Sequence, residues 1–379
     1  MKGVFILVDA LGWELVRDRG FATDILPHQQ EVETIFGFSS AAIPSILTGL
    51  LPKGHGHWNL FAYDPPNSPF WFAKPLRFLP NAIANNRIVR KVVSLVGRKL
   101  SRTRGYFQTY GVPTQILPLF DVCEKEDLYS PGGLHPSTSI FDLLVDKGVA
   151  YRSYSYHELN DTEIIRKACI DIEQRAAEFY FVYLCELDGF LHDNIHEAQS
   201  VEDELRKYEN AVRRIYKAAV EVDSSVPVYV FSDHGMTKVT ETFDLMGVVD
   251  GLGWQVPSDY LVLYDSTMAR FWFFNDRARE TIMDSLRNLP CGRWITEVDA
   301  KSFGIDFDDN RYGDGIFLMN DGVLMHPSHM GRTPWRGMHG FHPLAPSSSA
   351  SLLARQAPKT KVRHVADLFA LMREEGDLR

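Results

Sequence analysis

The sequence predicts an α/β protein built on a doubly wound, mainly parallel sheet, on three observations. Short apolar runs bounded by turn residues recur at positions 4–8, Phe179–Leu184 and Val228–Phe231, and read as buried parallel strands. Segments of helical period lie between them, among them 139–148 and 202–222. Strand and helix in alternation are the pattern of that architecture. An acid stands at or just beyond the end of each run: Asp9, Asp188 and Asp233. Ligands of such sheets gather at the carboxyl ends of the strands, so three acids placed there point to a functional site.

Taken in order, Gly3-Val4-Phe5-Ile6-Leu7-Val8 is a first core strand, too short and too soon acidic for a signal peptide. Residues 32–36 look strand-like and lead into a helical stretch, Ser39 to Leu50. The helix at 139–148 ends in Gly148, suited to a left-handed cap. Pro227 opens the third apolar run, where it costs no ladder hydrogen bond. Residues 347–351 read as a polar loop before a last helix at 365–374. The 379 residues suit two domains, or one large domain with insertions.

Two segments interrupt the alternation. Residues 65–120 contain no Asp or Glu but nine Lys and Arg, which leaves the rest of the chain twice as acidic as its net charge of −9. The second, 259–335, combines strand-like runs with a helix near 277–288. The expected layout is a catalytic core of 1–64 and 136–379, an inserted cap rich in Lys and Arg at 65–135, and a small α+β subdomain at 259–335. In the cap, Ile88, Val89, Val92, Val93, Val96 and Leu100 form one helical stripe. Such a helix either packs its stripe on a core, the plainer reading, or meets an anionic or lipid-linked ligand at a membrane face.

Composition excludes several classes. The acidic net charge argues against a nucleic-acid partner, and no apolar run approaches the roughly 18–20 residues that span a bilayer. Cys123, Cys169, Cys185 and Cys291 are too dispersed for a zinc ribbon or a disulfide framework. The expected location is the cytoplasm, with peripheral contact at the inner membrane face if the cap binds lipid.

The chemistry-bearing residues cluster by topology. Asp188 and His192 are four apart after one strand, Asp233-His234-Gly235 follows another, and His339 sits in Gly337-Met338-His339-Gly340. With Asp9 they make three carboxylates and three imidazoles, a mixed set that suits zinc or manganese better than calcium or magnesium. A lone Asp after a strand is ordinarily a helix cap, and a lone His a satisfied polar residue. Six at matching strand ends are not explained that way. A hydroxyl where the helix after Phe38 begins, Ser39 or Ser40, meets free backbone N–H groups that favour an anionic ester; alone it reads as an ordinary cap.

These segments, in this order, resemble the alkaline phosphatase superfamily: Asp9, Ser39 to Thr48-Gly49-Leu50, Leu51-Pro52-Lys53-Gly54-His55-Gly56, Asp188-x-x-x-His192, Ser232-Asp233-His234-Gly235-Met236 and Gly337-Met338-His339-Gly340-Phe341. The closest branch looks like the type I phosphodiesterase/nucleotide pyrophosphatases, over nearly the whole chain except the basic insertion. The resemblance implies an alkaline phosphatase-like fold and two divalent metal ions. Asp188, His192 and His339 would hold one, and Asp9, Asp233, His234 and the nucleophile the other. Counting back from Thr48 gives Ser39 as nucleophile, with Ser40 still open because Ser40-Ala41-Ala42 resembles a motif of the classical phosphatases. The branch usually has Thr at this position, so Ser is a departure. Asn59 matches the branch's phosphoryl-contacting Asn, though one residue closer to His55-Gly56 than the pattern.

The implied activity is hydrolysis of a phosphodiester or pyrophosphate, on a small-molecule or lipid-linked phosphate ester, through a covalent phospho-enzyme. The scaffold also allows a phosphomonoesterase, a phosphotransferase or mutase, a phosphonate hydrolase, or a silent binding protein. A sulfatase is disfavoured because no Cys/Ser-x-Pro-x-Arg segment is present. His55, His57, His342, Trp335 and Arg336 lie near motif residues and are either substrate contacts or ordinary loop residues.

Overall fold

The computed structural model describes residues 1–378. The chain divides into two compact units: one is Met1–His55, Leu128–Lys238 and the chain from Arg336 onward, the other Gly56–Asp127 with Val239–Trp335. The basic segment up to Asp127 and the 259–335 segment therefore belong to the same unit.

The first unit is built on a six-stranded sheet: β1 (Gly3–Val8), β2 (His28–Val32), β3 (Tyr151–Tyr154), β4 (Phe179–Leu184), β5 (Val228–Phe231) and β6 (Ala350–Ala354), in the spatial order β2-β6-β5-β1-β4-β3. Strands β3, β4, β1 and β5 run parallel, and β6 is antiparallel to both β5 and β2. This is the mainly parallel α/β sheet that the apolar runs predict. Every residue of β1, β4 and β5 is buried, because helices cover the sheet and leave no wet face. The helix Asp161–Glu173 packs on the long helix Ala198–Val222, whose apolar face supplies Val201, Leu205, Val212 and Ile215 to the core.

The structure departs from the sequence pattern at two strands. The strand lies at His28–Val32 rather than 32–36; its side chains are mostly polar and half exposed because it is the sheet edge, so no apolar run announces it. Residues 347–351 are not simply a loop, since β6 begins at Ala350 and inserts between β2 and β5. Its buried Ser351 is satisfied in the core, its N–H donating to Ser232 Oγ (2.9 Å) and its hydroxyl to the Leu11 carbonyl (2.6 Å).

The register decides where the acids sit. Val8 pairs with Leu184 and Leu7 with Phe231, so β1, β4 and β5 end level with one another. The Asp9 N–H still donates to the Leu184 carbonyl (2.9 Å), which fixes Asp9 at the rim of the sheet.

The second unit holds a four-stranded antiparallel sheet in the order Tyr260–Tyr264, Met268–Phe273, Gly315–Met319, Gly292–Trp294, with the helix Asp276–Arg287 capped by Asn275. Its core joins Phe61, Phe70, Val93, Phe120, Leu261 and Trp272. Arg270 is fully buried, neutralised by Asp265 (2.6 Å) and donating to the Phe61 carbonyl (2.9 Å). The basic helix Arg87–Ser101 is capped by the Asn86 side chain, and at Gly97 it presses on Phe70 so closely that a Cβ would lie 2.3 Å from the ring. The apolar stripe is not buried as a whole: Val93 and Gly97 are inside, whereas Ile88, Val92, Val96 and Leu100 are exposed. No helix among the described residues is long and apolar enough to cross a membrane. All four cysteines are free.

Candidate metal centre

The site is assembled in the first unit from four loops at the carboxyl rim of its sheet. Asp9 follows β1 directly. Asp188 and His192 lie one turn apart on the helix Glu186–Asn194, which starts after β4. Asp233 and His234 follow β5 after Ser232. His339 follows a two-residue strand, Gly337–Met338, that pairs antiparallel with Thr237–Lys238 and so is tied back to the segment bearing Asp233 and His234. Ser39 is the first residue of the helix Ser39–Thr48, which closes on Gly49 in the left-handed conformation.

These residues converge. One ligand atom each from Asp188, His192 and His339 lies within 4.8 Å of the others, and the same holds for Asp9, Asp188 and His234. Asp188 belongs to both groups. Asp233 joins the second through His234, its Oδ2 standing 3.2 Å from Nε2. The rings of His234 and His339 stack with centroids 3.8 Å apart, and the Ser39 hydroxyl is 3.0 Å from His234 Nε2. Asn59 lies in the second unit, buried, with its amide donating to Asp265 Oδ2 (3.4 Å).

Hydrogen bonds fix which ring atoms face inward. His192 Nδ1 donates to the Gly337 carbonyl (2.8 Å) and His234 Nδ1 to the Gly235 carbonyl (2.9 Å). A carbonyl only accepts, so in the neutral rings each Nε2 is left with its lone pair toward the carboxylates. There it meets further acceptors: His192 Nε2 is 3.3 Å from Asp188 Oδ2, and His234 Nε2 is 3.4 Å from Asp9 Oδ1. Three buried carboxylate oxygens, Asp9 Oδ1, Asp188 Oδ1 and Asp233 Oδ2, receive no hydrogen bond. Their sister oxygens Asp9 Oδ2 and Asp233 Oδ1 are satisfied, by the Tyr183 hydroxyl and by the N–H groups of Ala10 and His234. Acceptors facing acceptors, with unpaired buried carboxylate oxygens between them, are the donor set of a cation site.

Electrostatics agree. Burial, then the neighbouring Asp233 and Asp188 carboxylates, push Asp9 well above the usual carboxylate range. Burial also works against Asp188, but His192, His339 and His234 outweigh it and hold Asp188 below its ordinary value. Burial and the neighbouring His234 push His339 well below the ordinary imidazole range. Crowded buried carboxylates are costly alone and are relieved by divalent cations.

Three residues that pattern reading missed orient this set. Tyr183, near the end of β4, donates to Asp9. Thr34 Oγ1 donates to the Asp233 carbonyl oxygen (2.6 Å). Asp161 accepts from the N–H groups of Cys185 and Glu186 (both 3.0 Å) and from the Tyr208 hydroxyl (2.6 Å), which seats the helix carrying Asp188 and His192. No sequence signal marks Asp161, since an acid in the first turn of a helix is ordinary. Of the nearby motif residues, His55 is buried with Nε2 2.9 Å from Ser45 Oγ, and Arg336 pairs with Glu197 (2.8 Å).

Residues 4–269 match the sequence profile described as type I phosphodiesterase / nucleotide pyrophosphatase. No match was found among curated proteins compared by sequence. Among solved structures, mouse ectonucleotide pyrophosphatase/phosphodiesterase 5 superposes with a TM-score of 0.67 at 14% identity, covering 100% of this chain and 96% of its own. The human counterpart superposes with 0.67 at 12% identity, covering 100% and 95%. An inactive variant of the mouse protein in complex with AMP gives 0.66 at 14% identity, covering 100% and 96%. At these identities the likeness is one of fold.

Proposed function

Because the chain belongs to the type I phosphodiesterase / nucleotide pyrophosphatase family, whose members are metal-dependent hydrolases, we propose that it cleaves phosphodiester or pyrophosphate bonds through a two-metal site with Ser39 as nucleophile. The observation that carries this reading is the set of three buried carboxylate oxygens without hydrogen bonds, facing imidazole nitrogens and the Ser39 hydroxyl. Asp188, His192 and His339 would hold one metal, and Asp9, Asp233, His234 and Ser39 the other. The nitrogen and oxygen donors favour zinc, with manganese second. Such a pair supplies an acidified nucleophile and charge neutralisation at the attacked and departing oxygens.

The protein's own groups do the rest. His234, its tautomer fixed by the Gly235 carbonyl, would offer its Nε2 lone pair to the metal, and the Ser39 hydroxyl 3.0 Å from that nitrogen stands where it can join the same cation. Ser39 begins a helix whose N-terminal N–H groups stabilise an anionic phosphoryl group beside it. Its Oγ forms the bond to phosphorus as the ester oxygen departs on the opposite side, and water then cleaves the phosphoserine. Asn59 is assigned the phosphoryl contact on the family pattern alone. The complex of the mouse relative with AMP makes nucleotide phosphodiesters the first substrate class to try.

The test is hydrolysis of bis(4-nitrophenyl) phosphate against 4-nitrophenyl phosphate, before and after chelation and after return of Zn²⁺ or Mn²⁺. Preference for the diester, lost on chelation and restored by metal, is expected. Turnover indifferent to chelation would overturn the two-metal reading, and preference for the monoester would move the protein to the phosphatases.

A further inference from the structure

We infer that the basic segment 65–120 docks on an anionic lipid bilayer, led by the outward face of the helix Arg87–Ser101 and the aromatic turn before it. The helix has a clear inside. Gly97 meets Phe70, Val93 is buried, and Arg90 turns inward to donate to the carbonyls of Tyr110, Gly111 and Val112. At 3.6 residues per turn Ile88 lies about half a turn around the axis from Gly97, with Leu95 and Val92 close beside it. These three are exposed by 76%, 60% and 51% respectively. The face that points away from the body of the unit is thus the apolar one, against the usual arrangement of a surface helix.

The exposure is concentrated here. Of the seventeen large apolar side chains exposed among the described residues, nine lie between Trp71 and Leu100, including Trp71 at 59% and Phe78 at 75%. The remaining eight are scattered over the rest of the chain. Interleaved with them are Lys74, Arg77, Arg87, Lys91, Arg98, Lys99 and Arg102, and no acid occurs in the segment. Lys91 and Arg98 flank the apolar face and Lys99 falls within it, so their methylene stems can lie along a bilayer while their charges reach headgroups. Arg77 rests its guanidinium 4.6 Å above the exposed Phe78 ring, an aromatic and a cation presented together.

Charge selects the occupant. Two copies meeting through this face would set its seven cations against seven, and no comparable apolar concentration exists elsewhere on the described chain for a head-to-tail contact. An anionic bilayer answers both the charge and the apolar surface.

The test uses the full chain with vesicles of phosphatidylcholine alone and of phosphatidylcholine with phosphatidylglycerol, in a co-sedimentation assay at low and moderate salt. Retention on the anionic vesicles only, weakened by salt, is expected. Lys91→Glu with Lys99→Glu should lower partitioning roughly fivefold or more per residue. Ile88→Ser with Leu95→Ser, which removes no buried contact, should lower it roughly tenfold. Unchanged hydrolysis of bis(4-nitrophenyl) phosphate by both variants would show them folded. The oligomeric state of the wild type and of both variants is read by sedimentation velocity: self-association of the wild type abolished by the Ser variants would assign the face to a second copy and overturn the proposal. Equal retention on both vesicle types, or none on either, would overturn it as well.

Discussion

Tyr183 donates its phenolic hydrogen to Oδ2 of Asp9, leaving Oδ1 of the same carboxylate buried with no hydrogen bond. One oxygen is held by the protein and the other is kept open toward His234. Tyr183→Phe should therefore weaken metal binding roughly 10–100-fold while leaving the ligands in place, as loss of an orienting partner does. Titration with a chromogenic zinc competitor would measure it. An affinity equal to wild type would show that the packing around Asp9, not the phenol, orients it.

Ser39→Ala should lower turnover of the diester by at least about 10³-fold, with metal content and unfolding midpoint nearly unchanged. Ser40→Ala should keep a measurable rate. Parallel assays with elemental analysis settle the pair, and the reverse outcome would move the nucleophile to Ser40.

Asp9→Asn, His192→Ala and His339→Ala each remove one proposed ligand. Each variant should bind fewer than two metals per chain and lose most activity. Full occupancy in all three, read by elemental analysis after dialysis, would remove these residues from the site.

Asp161→Ala strips the acceptor from two backbone N–H groups and the Tyr208 hydroxyl, so it should cost about 2–3 kcal/mol in stability. It should also loosen the helix bearing Asp188 and His192, and metal affinity should fall with it. Urea unfolding of the chelated protein separates the two effects. A loss of affinity without loss of stability would place Asp161 nearer the metals than the structure does.

The chelated protein should lose stability as pH falls below the ordinary histidine value of 6.5. Burial holds His57 down at about 4 and His329 at about 3, and it also lowers His339 and His364. In that window the unfolded chain takes up protons that the folded chain refuses, so acid favours unfolding by about 1.4 kcal/mol per pH unit for each net proton. His192, raised by Asp188 despite its burial, and Asp9, raised by burial, work the other way, but they are outnumbered. Urea midpoints between neutral pH and about 5 would show the slope. A midpoint flat or rising toward acid would mean that Asp9 and His192 dominate.

What was legible in the sequence followed from local rules. Asp9, Asp188 and Asp233 could be placed because each follows an apolar run, and parallel strands carry such residues to one rim. Tyr183 and Asp161 could not, because their value lies in partners brought by tertiary packing: a tyrosine in an apolar strand reads as core, and an acid at a helix start as a cap for its own helix. Asp161 in fact caps the next one. Strand β6 was hidden for a related reason. Ser351 reads as polar loop, and only Ser232 and Leu11, distant in sequence, make it a core residue. The helix at 87–100 was visible from its period, yet periodicity cannot tell which side of a two-sided apolar arc the fold will bury.

The place of β6 also governs how the protein can be made. Among the described residues it is the only strand beside β2 in the sheet, and it covers one edge of β5, yet it is drawn from residues 350–354. On the ribosome, β1, β4 and β5 emerge long before it, and until it arrives β2 has no strand to join and β5 presents an open, wholly apolar edge. His339 is likewise translated late. The nascent chain must therefore carry an unsealed sheet from the emergence of β5 until residues 350–354 follow, a state prone to pairing with the wrong strand. Yield in cells should depend on chaperone supply more steeply than the stability of the finished protein would suggest.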